Sequence, residues 1–125
     1  MKAGDTFFIQ DRNVDSHLWV VISDTAHDSE RVVIVSVTTY ETYKEGVCLF
    51  EPGDHPRISH TSCVAYNETR KISLEKLVTL NAQGHLSVQS PVSTEILRRI
   101  RDGVSKSKRI PFQFVEILIE QGVID

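Results

Sequence analysis

Side chains able to do chemistry crowd into one stretch, Asp54-His55-Pro56-Arg57-Ile58-Ser59-His60-Thr61-Ser62-Cys63-Val64-Ala65-Tyr66. Its thirteen residues hold two of the five histidines, an arginine, a carboxylate, several hydroxyls, a thiol and a tyrosine. Histidine suits proton transfer in either direction because its unperturbed pKa is about 6.5, and arginine suits a phosphate because its planar fork donates two parallel hydrogen bonds. With His17, Thr38 and Arg70 from elsewhere in the chain, the inventory is that of acid-base chemistry beside an anionic oxygen. Taken singly, each histidine reads equally well as an exposed or capping residue, His27 and His85 most of all because they fall in turns. The clustering carries the functional reading.

Two other chemistries fit less well. His55 and His60 are five apart with Asp54 and Cys63 near, but structural zinc draws on paired Cys or His at short spacing, and no second CxxC or HxxxH is present. No metal and no cofactor is expected. A Cys63 nucleophile would need a depressed pKa, and its Ser-Cys-Val-Ala-Tyr setting reads as a buried strand. Cys48 and Cys63 are expected to be buried free thiols. Tyr66 and Trp19 could stack bases, and each reads equally as core.

The elements that must position these groups are mostly strands. Asp5-Thr6-Phe7-Phe8-Ile9-Gln10 is aromatic and β-branched, 11–16 is a polar loop, and His17 to Ser23 runs apolar as a strand packed on both faces would. Arg31 to Thr38 is the strongest strand, with five Val or Ile in eight residues, and should be central. Thr39 to Gly46 reads as an exposed loop carrying two tyrosines, and Val47-Cys48-Leu49-Phe50 as a short strand stopped by Glu51-Pro52-Gly53. Pro56 biases His55 away from helix, so a rigid loop should lead into a short buried strand, Cys63 to Tyr66. Asn67 to Arg70 is polar, and Ile72 to Leu80 mixes a single helical turn with a closing strand. Strands at such short intervals, joined by loops, predict a mainly β (α+β) fold: a small antiparallel barrel over about 4–90.

From Ser90-Pro91 the pattern becomes helical. Ser93 is an N-cap with Glu95 in the first turn, and Ile96, Leu97, Ile100 and Val104 form one face with Arg98, Arg99 and Arg101 largely on the other. Pro111 opens a second helix through Phe112, Val115, Leu118, Ile119 and Val123, with Gly122 as terminator. The six basic residues from Arg98 to Arg109 read first as a solvated helix face and second as a binding patch.

At 125 residues, 40% hydrophobic and 25% charged, the chain suits one domain over 1–125 with a real core. A net charge of −3 argues against coating nucleic acid through the whole surface and leaves a local basic groove open. Without a leader-like segment or an apolar run near 18 residues, the expectation is a cytoplasmic protein and no membrane.

Gly4-Asp5 before an aromatic strand, then His17 to Ser23, Val35-Ser36-Val37-Thr38-Thr39, a closing Leu77-Val78-Thr79 and a C-terminal helix are similar in order and spacing to the PemK/MazF (Kid, CcdB-like) toxins, in a divergent PemK-like branch. His55-Pro56-Arg57-Ile58 resembles a related His-Pro-x-Ile loop of PemK-like proteins. The resemblance implies an SH3-like barrel with added helix, a homodimer, and a toxin that cleaves single-stranded RNA without a metal beside a cognate antitoxin. The family's His-Arg-Pro run is absent, and aligning on Val20 to Ser23 places His17 where its arginine would stand. Thr38 matches the threonine ending the third strand, followed by Thr39. Cleavage through the 2′-hydroxyl needs a base, an acid and donors to the phosphorane. The expected assignment is His17 and His55 as the acid/base pair, Arg57 as phosphate ligand and Thr38 as orienting donor, with Thr39, His60, Tyr66 and Arg70 binding substrate. The alternative is a barrel without catalysis that binds a protein or nucleic acid, as toxins that trap an enzyme do.

Overall fold

The computed structural model describes residues 1–10 and 17–125; the loop expected over 11–16 lies outside the described residues. Six strands, β1 (Thr6–Ile9), β2 (Leu18–Val21), β3 (Arg31–Thr39), β4 (Leu49–Phe50), β5 (Ser62–Ser73) and β6 (Leu86–Gln89), form one antiparallel sheet in the order β4-β5-β3-β2-β1-β6. It curls into a half-barrel with β4 and β6 at its two edges. Three helices follow among the described residues: α1 (Leu74–Ala82) between β5 and β6, then α2 (Thr94–Lys106) and α3 (Phe112–Glu120). None is long and apolar enough to cross a membrane.

Strand alternation divides the core. Leu18, Val20 and Ile22 with Val33, Val35 and Val37 face the larger cluster, where Phe50, Tyr66, Ile100, Val104 and Leu118 pack against them. Phe7, Trp19, Val21, Val32 and Ile34 face the other side, covered by Leu77 of α1 and Leu86 of β6. The strong apolar run over β3 is central, as its composition requires.

Four expectations change. β5 runs through Asn67 to Arg70, because a register shift between Ile34 and Ser36 of β3 lets the partner strand continue across the polar residues. Leu77-Val78-Thr79, expected to close the barrel, lies in α1, and β6 closes the sheet on β1 instead. The helix forms because Ser73 caps it, accepting from Lys76 N at 3.0 Å, and Leu74, Leu77 and Leu80 return at helical spacing to the second cluster. In α3 the buried residues are Phe114 and Leu118, while Phe112 and Ile119 are exposed. The arginines of α2 are not all a solvated face: Arg99 donates to Leu49 O and Arg101 Nε to Ile22 O at 2.9 Å, tying the helix to the sheet, while Arg98 pairs with Glu95 and Asp102.

Ser93 caps α2, accepting from Ile96 N at 3.1 Å, and Gly122, at φ +73°, ends α3 as its position suggests. Cys48 and Cys63 are buried free thiols. Burial pushes the Cys48 thiol up to about 11 and raises the Cys63 thiol and Tyr66 hydroxyl as well. The folded chain therefore holds protons that the unfolded chain, with thiols near 8.5, releases as pH rises, so stability falls from about pH 8.5 to 11. For Cys48 alone the loss is roughly 3 kcal/mol. Urea midpoints measured from pH 7 to 11 should drop across this window, and should drop less in a Cys48→Ala chain.

Candidate functional site

Thr38 and Thr39 stand at the end of β3, where their neighbours across the ladder are Cys63 and Ser62 of β5. Because Leu18 pairs with Val37, the antiparallel register brings His17, one residue earlier, beside Thr38. On the other side comes the segment between β4 and β5. Pro52 and Gly53, the latter at φ +102°, turn the chain after β4 in a conformation that suits glycine, and Asp54 Oδ2 accepts from Glu51 N at 2.8 Å to close that turn. Thr61 Oγ1 donates to Glu51 Oε2 at 2.8 Å across the base of the loop, and Tyr40 N donates to Thr61 O at 3.0 Å, which binds the loop to the end of β3. Ile58 is buried in the main core and pins the loop between Arg57 and His60, both of which are exposed.

Five of the sequence-predicted residues therefore line one hollow of about 270 Å³: His17, Thr38, Thr39, Arg57 and His60. Thr39 Oγ1 and His60 Nε2 lie 2.7 Å apart, and Ser59 Oγ is 3.1 Å from His60 Nδ1, so both ring nitrogens are held by hydroxyls and the imidazole plane is set. Arg57 Nε donates to Gln89 Oε1 at 2.6 Å, which orients a guanidinium whose remaining donors meet no acceptor among the described residues. Thr38 and Thr39 come from the end of β3 and His17 from just ahead of β2, while Arg57 and His60 come from the loop tied to that end through Thr61 and Tyr40.

The remaining three predicted residues stand apart. His55, expected to be half of an acid/base pair, is 3% exposed. Its Nδ1 accepts from Arg57 N at 3.0 Å, so that nitrogen carries no proton and Nε2–H donates to Ser90 O at 2.5 Å. Thr6 Oγ1 donates to the same carbonyl at 2.6 Å. Both His55 ring nitrogens are thus committed to backbone groups, and the side chain latches the loop after β4 to the end of β6 across the open side of the half-barrel. Tyr66 is wholly buried and donates to Ile100 O at 2.7 Å, so it packs the core and has no face for a base. Arg70 lies over the Trp19 ring, 5.2 Å from its centroid, opposite Ile34 in β3 and away from the threonine end, and Trp19 itself is core.

Removing the latch should cost stability and site geometry together. His55→Ala leaves the Ser90 carbonyl with one donor fewer and Arg57 N without its acceptor, a loss of about 1–3 kcal/mol. The urea midpoint checks this, and the variant chain should still fold.

Lys44 and Arg109 were not assigned from sequence. Lys44 Nζ donates to Thr39 O at 2.7 Å and to Thr38 Oγ1 at 3.3 Å, which places a second cation against the threonine pair. It sits in the loop that the two tyrosines mark as exposed, and Arg109 was legible only as part of the basic cluster. Arg109 Nη2 donates to Tyr43 O at 3.1 Å and lines, with Lys44, His17 and Thr38, an adjoining hollow of about 310 Å³. The two hollows share His17 and Thr38, so they form one groove with cations on both sides.

No protein-family model matches this sequence, and no curated protein matches it. A solved structure does: an endoribonuclease in complex with its cognate antitoxin from a mycobacterial species, with a TM-score of 0.57 at 15% identity over 89% of this chain and 95% of that one. At that identity the likeness is one of architecture, and on it the chain shares the fold of that endoribonuclease.

Proposed function

We propose that the groove binds single-stranded RNA and cleaves it through the 2′-hydroxyl, as the toxin partner of an antitoxin protein. The observation that carries this reading is the convergence of His17, His60, Arg57, Thr38 and Thr39 on one hollow. The fold of an endoribonuclease solved with its antitoxin supports it. His60, held between Thr39 and Ser59, takes the acid/base place first given to His55, with His17 as its counterpart. One imidazole accepts the 2′-hydroxyl proton as the oxygen attacks phosphorus; the other donates to the departing 5′-oxygen. Arg57 and Lys44 stabilise the charge that builds on the phosphorane, and Thr38 orients a non-bridging oxygen. The cleavage leaves a 2′,3′-cyclic phosphate and a 5′-hydroxyl.

The antitoxin would supply an acidic, disordered segment that covers the cationic groove, and the same reading carries a homodimer. Purified protein incubated with single-stranded RNA in chelator should give discrete fragments. Tight binding of RNA or of a protein without any fragment would favour the non-catalytic alternative, which the burial of His55 keeps in contention.

A further inference from the structure

The hollow beside the reaction centre has features that proton transfer and phosphate binding do not use. Tyr43 is 69% exposed, with Lys44 Nζ 5.8 Å from its ring centroid, so a broad aromatic face stands open beside a cation. The same hollow holds two carboxylates of different availability. Glu45 is spent, since its two oxygens accept from Ser107 Oγ at 2.5 Å and Lys108 N at 2.9 Å. Glu68 is exposed and, among the described residues, is anchored by one contact, Ser36 Oγ donating to Oε2 at 3.2 Å, with Oε1 meeting no partner there. A carboxylate in an RNA groove repels phosphate and can only accept hydrogen bonds. Its natural partner there is a nucleobase edge that presents donors.

Resting on the RNA-cleavage reading above, we propose that this hollow is a nucleobase subsite that selects guanine next to the scissile phosphate, with Glu68 reading the base and Tyr43 stacking on it. Guanine is the base whose Watson–Crick edge carries two adjacent donors, N1–H and the 2-amino group, matching the two oxygens of one carboxylate. Cytosine and adenine each offer an amino group beside a ring acceptor that faces the carboxylate unfavourably, and uracil offers one N–H between two carbonyls. About 310 Å³ is the scale of one nucleoside, at the small end for ligand pockets. His17 and Thr38 line both hollows, so a base held here belongs to a nucleotide adjoining the phosphate at Arg57.

The test uses short single-stranded RNAs that differ at one position, guanosine, inosine (which lacks the 2-amino group) or adenosine, and reads kcat/KM. In parallel, 2′-O-methyl versions that cannot be cut are titrated for binding. Guanosine should exceed adenosine by about 10- to 100-fold, with inosine between them, as befits a bidentate pair. Glu68→Ala should bring the ratio near one, and Glu68→Gln should shift it toward adenosine, which an amide can pair with in two places. Tyr43→Ala should weaken binding of all three oligonucleotides about 5- to 100-fold, the worth of one stacked base. A guanine ratio unaltered by Glu68→Ala, or cleavage indifferent to the base, overturns the subsite and leaves the cleavage reading standing. Glu68-dependent binding of the guanine oligonucleotide without cleavage of the RNA does the reverse. Absence of both overturns both.

Discussion

Replacing His60 with alanine should lower RNA cleavage by about 10²–10⁴-fold while leaving the folded chain within about 0.5 kcal/mol of native stability. The rate falls because the imidazole lies between two hydroxyls in the hollow that also holds His17 and Arg57. Stability holds because the residue is exposed and its partners are surface hydroxyls that water can satisfy. His17→Ala should lose rate on the same scale, and the double variant should lose little more than the worse single, since an acid and a base that act as a unit in one displacement are not additive. Single-turnover rates with matched urea curves check both halves. A His60→Ala chain that cuts at the native rate would move the chemistry out of this hollow.

The largest stability effect belongs to Tyr66. Tyr66→Ala should destabilise by about 3–5 kcal/mol, the range for emptying a fully packed aromatic site. Tyr66→Phe should cost about 1 kcal/mol, leaving the Ile100 carbonyl with one donor fewer. The ring reaches that carbonyl only because position 103 is glycine: a Cβ there would collide with the Tyr66 hydroxyl. Gly103→Ala should therefore cost about 1–3 kcal/mol by overpacking, despite alanine's better helix propensity. In a Tyr66→Phe background part of that cost should disappear, and the double-mutant cycle reads the contact directly. None of these changes should alter KM for RNA, which separates the observed core role from the base-stacking role the sequence suggested.

Composition and alternation were enough to place β1, β2, β3 and the capped α2, because hydrophobic period and cap chemistry are local signals. Ser73 is as good a cap as Ser93, yet Ile72 to Leu80 reads as a single helical turn running into a closing strand, because Val78 and Thr79 lend β character to a short segment whose leucines repeat over only two turns. Of the site, Thr38, Thr39, His17, Arg57 and His60 were legible as types and meet in one hollow. Nothing local distinguishes His55 from His60. The first is buried because Ile58 pins the loop and Ser90, thirty-five residues on, offers a carbonyl; that partnership exists only once β6 lies beside β1. Lys44 and Arg109 were hidden for the same reason, since their place in the groove depends on how loops from distant parts of the chain pack.

The central claim is that this groove cleaves RNA through its own 2′-hydroxyl. Mapping one cut site in a single-stranded RNA and then placing a single 2′-deoxynucleotide immediately 5′ of the scissile phosphate tests it most directly. The account predicts that the cut at that position disappears while the substituted strand still binds, and that native products end in a 2′,3′-cyclic phosphate. Persistent cutting at the deoxy position, or no cutting of any single-stranded RNA, would contradict it.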